Sequence, residues 1–322
     1  MFGPLKYGIL PQHLSQAELT GGNGMIQMGT YLAILTGTML GGTLIAMKPA
    51  GDLLVSGTVV TIAVTGWLAS RYIPKAEAPE PELKIKWNII LETIRIIGFA
   101  RENRRVFWSI IAISWFWFIG ATFLSLVPSY TRDVLNGNEQ IATLLLAVFS
   151  VGIGSGSLLC EKLSGQRINT GLVPLGATGI TIFAIDLFYV GVPEGIELIK
   201  STILGPGELF ALVEFKRALF DLFCIGMFGG FYIIPLYALV QFCSEEKHRA
   251  RIIAANNILN ALFMVFSALM TLALLTLGVP ITVIFLVVAI LNLGITACIF
   301  NLIPDFILEF LVWLRLKKIG DQ

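Results

Sequence analysis

The chain has 322 residues, of which 56% are hydrophobic and 13% charged, and its formal net charge is +1. Soluble domains carry about 25% charged residues, so this composition and a mean hydropathy of +0.83 argue against a water-soluble protein. The near-neutral charge also gives no reason to expect a nucleic-acid partner.

The cysteines and histidines give no pattern for a metal or redox centre. No CxxC spacing occurs, and the two histidines lie far apart in the sequence. A disulfide framework or zinc site is therefore not expected, and no cofactor, metal ion or catalytic serine–histidine group is predicted. The residues concerned are Cys160, Cys224, Cys243, Cys298, His13 and His248.

Eight apolar stretches fill most of the chain. A helix that rises about 1.5 Å per residue needs about 20 residues to cross a hydrocarbon core roughly 30 Å thick. Inside lipid every backbone polar group must be paired, which favours helices. The sequence therefore predicts an all-α polytopic membrane protein with eight transmembrane helices. They are Met25–Met47, Leu53–Ile73, Val106–Val127, Ile141–Cys160, Leu172–Gly191, Ala218–Gln241, Ile252–Leu277 and Pro280–Leu302.

The first residues, Phe2 to Gly8, look like the end of a further helix. Too few residues precede them to form a full span. We therefore expect upstream helices to be missing from this sequence, and the alternative is a complete eight-helix protein.

The distribution of Lys and Arg predicts the orientation in the membrane, because cytoplasmic loops carry an excess of both. If the N-terminus is cytoplasmic, most of the 22 Lys and Arg residues fall on the inside. Those on the outside are Lys48, Arg132, Lys200, Lys216 and Arg217. Both ends of the chain are therefore predicted to be cytoplasmic.

A charged connector divides the spans into two before it and six after it. It begins with a proline-rich linker at Pro74, and Trp87–Ala100 has apolar residues at helical spacing, typical of an amphipathic helix on the membrane surface. The predicted units are residues 1–73, the linker 74–105, a six-helix unit 106–303 and an amphipathic tail 304–322.

Several motifs spread along the chain resemble the lysophospholipid transporter family, a branch of the major facilitator superfamily. The closest resemblance is to the transporter part of proteins fused to an acyl-ACP synthetase and a 2-acylglycerophosphoethanolamine acyltransferase. The motifs are Gly3-Pro4-x-Lys6-Tyr7-Gly8-Ile9-Leu10-Pro11, Gly21-Gly22-Asn23-Gly24, Gly41-Gly42, Gly229-Gly230-Phe231-Tyr232-Ile233-Ile234-Pro235-Leu236 and Ala254-Ala255-Asn256-Asn257-Ile258-Leu259-Asn260.

This resemblance implies a fold and a function. The family has twelve helices in two six-helix halves, so the eight spans would correspond to helices five to twelve. The implied function is alternating-access movement of lysophospholipid, especially lysophosphatidylethanolamine, across the bacterial inner membrane. Reacylation by a fused or separate acyltransferase would follow.

A second superfamily feature lies between the fourth and fifth spans. The residues Gly156, Glu161, Lys162, Gly165 and Arg167 resemble a degenerate acidic–basic loop motif. Glycines allow close helix approach, and Glu161 and Arg167 could pair to hold a neighbouring helix end. The alternative is an ordinary inside loop.

Polar groups within or beside the spans are candidates for a substrate path, because an unpaired polar group in lipid is costly. Asn256 and Asn260 share a helix face and could bind a zwitterionic headgroup or join two helices. Lys6 could meet a lipid phosphate or extend to the interface. In some relatives an acidic residue is expected at the position of Gln27, and the amide puts ion coupling there in doubt. The candidates are Lys6, Tyr7, Asn23, Gln27, Tyr232, Asn256, Asn257 and Asn260.

The sixth span combines Gly229, Gly230 and Pro235, which suggests either a hinge for alternating access or close packing. Both intramembrane aspartates belong to the outer parts of their spans, with Asp221 expected at the interface and Asp186 deeper.

The third span has an aromatic cluster from Trp108 to Phe118. Such a cluster could accommodate acyl chains that leave the path sideways. More often it would face lipid.

Two other functions remain open. One is a major facilitator transporter of a drug, sugar or other soluble solute. The other is a membrane anchor for an acyltransferase with no transport activity of its own.

Overall fold

The computed structural model describes residues 2–77, 88–165, 167–190 and 210–320. These residues fold into α-helices joined by short connections. Parts of the predicted linker and of the loop after Gly191 lie outside the described residues, as do Trp87 and Lys200.

Eight of the helices are long and apolar enough to cross a membrane, as the sequence predicts. They are α3 (Leu19–Ile45), α4 (Gly51–Ser70), α6 (Arg104–Asp133), α7 (Glu139–Ser164), α8 (Leu172–Tyr189), α9 (Val213–Cys243), α10 (Glu246–Thr276) and α11 (Ile281–Leu302).

Four other helices lie at the ends of these spans. The short α1 (Phe2–Gly8) and α2 (Leu10–His13) precede α3, α5 (Ile89–Glu102) precedes α6, and α12 (Asp305–Gly320) follows α11. Helix α5 agrees with the amphipathic helix expected in the linker. Asn88 caps it, since its side chain accepts a hydrogen bond from the Leu91 backbone N–H at 3.1 Å.

The helices extend beyond the apolar stretches that predict them. Helix α3 begins at Leu19 rather than Met25, and α6 continues through Pro128 to Asp133. Hydropathy marks only the apolar part of a helix, whereas the helical backbone extends in both directions as far as the capping residues. Asn103 and Asn138 provide such caps at the first residues of α6 and α7.

Helices α6–α11 form a bundle joined by buried polar side chains as well as apolar contacts. Asn292 of α11 is fully buried, and its amide nitrogen donates to the Ala177 carbonyl at 3.0 Å and to Thr181 Oγ1 at 2.9 Å. Its oxygen accepts from Trp115 Nε1 at 2.9 Å. One asparagine therefore joins α6, α8 and α11.

The aromatic cluster of α6 lies inside this bundle. Trp115, Phe116 and Phe118 are buried, so the expectation that the cluster faces lipid is wrong for these residues. Helix α6 contacts α7, α9, α10 and α11, and these neighbours cover the aromatic side chains.

Glycines bring the backbones of α7 and α9 into direct contact. A Cβ atom at Gly156 would lie 2.0 Å from the Met227 carbonyl oxygen, and one at Gly230 would lie 2.5 Å from the Ser157 nitrogen. Because such distances are shorter than any real Cβ contact, only glycine permits this crossing. Packing therefore accounts for Gly230, one of the two predicted hinge glycines.

The helices before the linker contact this bundle over a short length. In α3 all the buried residues lie between Leu19 and Tyr31, and in α4 only Gly51 is buried. The far end of α3 is exposed at Met39, Leu40 and Ile45.

The close approach of α7 and α9 predicts a strong effect of one methyl group. Gly156→Ala should destabilise the bundle by about 1–3 kcal/mol, because the backbones must separate. Thermal unfolding of the purified protein in detergent measures this loss as a lower Tm. Gly57→Ala is the matched control, since nothing lies within 4 Å of a Cβ at Gly57. Equal Tm values for the two variants would contradict the packing account.

Candidate functional site

Helices α1 and α3 meet the bundle through two stacked tyrosines. The rings of Tyr7 and Tyr237 lie 4.5 Å apart with an interplanar angle of 7°, and both residues are only 3% exposed. The Tyr7 hydroxyl donates to Gln27 Oε1 at 2.7 Å. Tyr7 and Gln27 precede the linker in the sequence, whereas Tyr237 follows it.

A pair of amides makes a second connection beside the tyrosines. Asn23 Nδ2 donates to Gln241 Oε1 at 2.6 Å, and Gln241 Nε2 donates to Asn23 Oδ1 at 3.0 Å. The same Gln241 nitrogen also donates to the backbone carbonyl of Tyr7 at 3.1 Å. Because both amides are buried away from water, each provides the hydrogen-bond partner that the other would otherwise lack.

Tyr237 continues the contact into α6 and α10. Trp117 Nε1 donates to the Tyr237 hydroxyl at 3.2 Å. With the Asn260 amide nitrogen donating to Ser114 Oγ at 2.9 Å, its oxygen accepts from Asn256 Nδ2 at 3.2 Å and Trp117 Nε1 at 3.3 Å. Neighbouring groups assign this amide orientation.

We call this connected set the polar seam. Six of the eight path candidates lie in it or at its edge. On one side it contains Tyr7, Asn23, Gln27 and Tyr31, and on the other Trp117, Tyr237, Gln241, Asn256 and Asn260.

Lys6 lies at the edge of the polar seam. Its ammonium group donates to Thr30 Oγ1 at 3.0 Å and lies 4.9 Å from the centre of the Tyr7 ring. The side chain is partly buried. Lys6 therefore provides a positive charge beside the tyrosine–amide contact.

Three amide atoms at these helices remain without a hydrogen-bond partner although they are buried. They are Gln27 Nε2, Asn256 Oδ1 and Asn257 Nδ2. Such a group is costly unless something satisfies it. These three atoms are two donors and one acceptor whose hydrogen-bonding capacity is not used by the described residues.

Two path candidates, Asn257 and Tyr232, are not part of the polar seam, and Tyr232 packs elsewhere in the bundle. Its ring stacks on Phe116 at 6.4 Å, and its backbone approaches Gly176 of α8. Gly229 faces the same Phe116 ring. Pro235 is buried within the continuous helix α9, so the helix shows close packing here, and a hinge role stays a prediction.

The loop-motif residues hold the first turns of α3. A Cβ at Gly21 would lie 2.5 Å from Glu161 Oε1, and Thr20 Oγ1 donates to the Arg167 carbonyl at 3.3 Å. Gly165 ends α7 in the left-handed conformation at φ 60°. Lys162 is exposed.

The expected ion pair between Glu161 and Arg167 does not occur among the described ion pairs. Glu161 faces α3 from the last turns of α7. Arg167 follows the turn at Gly165 and points to the exterior. The motif thus contacts α3 through the Glu161 side chain and the Arg167 backbone.

Four members of the polar seam are not among the predicted path residues. Tyr31 and Gln241 lie within predicted spans, Gln241 at the end of one, and Trp117 belongs to the aromatic cluster of the third span. The fourth is Tyr237, which follows Pro235 in the sixth span. A polar or hydroxylated residue four positions after Asn23, Gln27 or Tyr237 would have been the signal, since such residues share a helix face.

The polar seam lies at one end of the bundle, where α3 and α10 begin and α9 ends. Among the described residues no group of His, Cys, Asp and Glu could hold a metal ion. The hydrogen bonds of the polar seam are of a kind that can be exchanged for bonds to water or to another polar group.

The sequence matches the profile of the Major Facilitator Superfamily over residues 1–268. It is also similar to proteins named lysophospholipid transporter LplT. It is 27% identical over 245 residues to that of Escherichia fergusonii and 28% identical over 245 residues to that of Serratia proteamaculans. These alignments cover 74% of this chain and 54% of each relative. The chain thus spans about half the length of the curated relatives it matches.

The reciprocal amide bonds predict energetic coupling between Asn23 and Gln241. Asn23→Ala or Gln241→Ala alone should each cost about 1–3 kcal/mol, because the remaining amide stays buried without its partner. The double variant should lose about 0.5–3 kcal/mol less than the sum. Unfolding by SDS in mixed micelles measures these free energies.

Thr36→Ala combined with Gln241→Ala is the control pair. Thr36 is exposed and bonds only within its own helix, so its effect should add to that of Gln241→Ala. Additive losses for Asn23 and Gln241 as well would contradict a direct link.

Proposed function

The chain belongs to the major facilitator superfamily, and on this premise we propose that it works in the transport of lysophospholipids across the bacterial inner membrane. The named relatives supply the cargo class. The alternating-access mechanism of the superfamily fits the way in which α1 and α3 contact the bundle.

The polar seam carries this proposal. Two sets of helices, separated by the linker, touch near one end. Helix α3 packs on α7 there, and hydrogen bonds and a tyrosine stack join α1 and α3 to α9. Contacts of this kind can be exchanged for bonds to water or to a ligand at little net cost. They suit a gate better than a permanent apolar interface would.

The distribution of Lys and Arg predicts on which side of the membrane this gate lies. If the N-terminus is cytoplasmic, as the Lys and Arg pattern predicts, the polar seam closes the cytoplasmic side. The structure then corresponds to an outward-open state. Lysophospholipid would enter from the outer leaflet and leave when the polar seam opens.

The groups at the polar seam match a zwitterionic headgroup. Lys6 and the unpaired Gln27 nitrogen could bind a phosphate, and the unpaired Asn256 oxygen could accept from an ammonium group. Lysophosphatidylethanolamine carries both charges, while its single acyl chain can remain in lipid. This pairing supports the ethanolamine headgroup as the preferred cargo.

We also propose that a fused or separate acyltransferase re-esterifies the delivered lipid on the cytoplasmic side. Helix α12 lies at the same end of the bundle as the polar seam. Trp313 Nε1 donates to the Leu163 carbonyl at 3.1 Å, and Glu309 accepts from the Thr170 backbone N–H at 3.0 Å. A docked C-terminal helix at this end would bring an attached enzyme near the exit.

A disulfide across the polar seam should stop transport. The protein, with its native cysteines replaced by serine, carries Asn23→Cys and Gln241→Cys and is placed in membrane vesicles. Uptake of headgroup-labelled lysophosphatidylethanolamine should fall to the level of protein-free vesicles after oxidation. A reductant should restore it, because only the cross-link holds the gate closed.

The two single-cysteine variants, oxidised in the same way, are the controls. The uptake of each should be the same before and after oxidation. Persistent uptake after complete cross-linking would show that the polar seam is not a gate. A cysteine-free protein that moves sugars or drugs but no lysophospholipid would instead reject the cargo and leave the gate intact.

A further inference from the structure

A second buried polar group lies far from the polar seam. Asp221 of α9 is 0% exposed, and neither of its carboxylate oxygens has a hydrogen-bond partner. It precedes Tyr237 on the same helix by about 24 Å of helix length. The sequence placed Asp221 at the interface, but α8 and α6 cover it.

Four titratable side chains from three helices surround this carboxyl group. Asp186 of α8 and Arg217 of α9 lie beside it, and Arg217 is four residues earlier on the same face. Tyr130 of α6 faces it as well, and its hydroxyl is also buried without a partner. Cys224 lies one turn further along α9.

Among the residues that the structure describes, the cation in this group is Arg217, and it is already paired. Arg217 Nε donates to Asp186 Oδ2 at 2.8 Å, and its terminal nitrogen contacts the second carboxylate oxygen of Asp186. Both oxygens of Asp186 are thus paired. An ionised Asp221 would be a buried anion beside a second anion, with no donor of its own, and that arrangement is strongly unfavourable.

A proton removes this conflict. When Asp221 takes a proton from a hydronium ion, its carboxylate becomes a neutral carboxylic acid with an O–H group, and the hydronium ion becomes a water molecule. The new O–H group can donate to Asp186, which remains paired with Arg217. Two carboxyl groups in one site commonly share a proton in this way.

We propose that Asp221 and Asp186 form a proton-binding site at the end of the bundle opposite the polar seam. The Asp186 and Arg217 side chains are 33% and 46% exposed, so water can reach the site. The site provides an acidic group for ion coupling that the amide at Gln27 does not provide. The proposal does not depend on which cargo is transported, because the ligand of this site is a proton.

Infrared spectroscopy of the full chain in lipid bilayers tests the proposal. At neutral pH the protein should show a protonated carboxylic-acid band that disappears in Asp221→Asn. Asp133→Asn is the matched control, since Asp133 is an exposed aspartate paired with Arg132, and it should leave the band unchanged. A band that survives in Asp221→Asn would overturn the proposal.

Labelling of the unmodified protein provides a measurement that needs no variant. Dicyclohexylcarbodiimide reacts with protonated carboxyl groups in apolar surroundings, and mass spectrometry locates the product. Modification should occur at Asp221 and decrease as the pH rises. No modification of Asp221, or a modification that responds to sodium and not to pH, would contradict a proton site.

Discussion

A polar side chain inside a membrane-spanning helix finds no water, and therefore it needs a partner on a neighbouring helix. This constraint orders the whole structure. Asn292 satisfies it permanently by binding groups on α6 and α8, which fixes the six-helix bundle. Asn23 and Gln241 satisfy it across the linker, and under the proposed function this contact opens and closes. Neither carboxylate oxygen of Asp221 has a hydrogen-bond partner in the described part of the chain, and a proton is the ligand that we propose for it.

Glycine contacts and polar contacts have different roles in this arrangement. Gly156 and Gly230 allow α7 and α9 to touch along their backbones, and under the proposed function we expect these two helices to move as one body. The polar seam joins α1 and α3 to that body through bonds that water or a headgroup can replace. Under the proposed function, this exchangeable contact would be one of the two gates that alternating access requires. The proton site lies within the rigid body, between α8 and α9.

The sequence predicted the class, the eight spans and most members of the polar seam, because hydropathy and intramembrane polarity are local signals. It did not predict which residues would meet. Asn23 and Gln241 are far apart in the chain, and nothing near either residue indicates the other. The burial of Asp221, and of Trp115 and Phe118, depends on which neighbouring helices cover each face. Hydropathy reports how strongly a segment prefers lipid to water. It does not tell which neighbouring helices pack against each face of that segment.

Distances between spin labels test the central claim, which is that the helices before the linker move relative to the bundle. One pair joins Met39 of α3 to Leu272 of α10, and a reference pair joins Val151 of α7 to Ile290 of α11, all at exposed positions. Electron–electron double resonance should show that lysophosphatidylethanolamine shortens the first distance or adds a shorter population. The reference distance should stay constant. A first distance that never changes, or a reference distance that changes equally, would contradict the account.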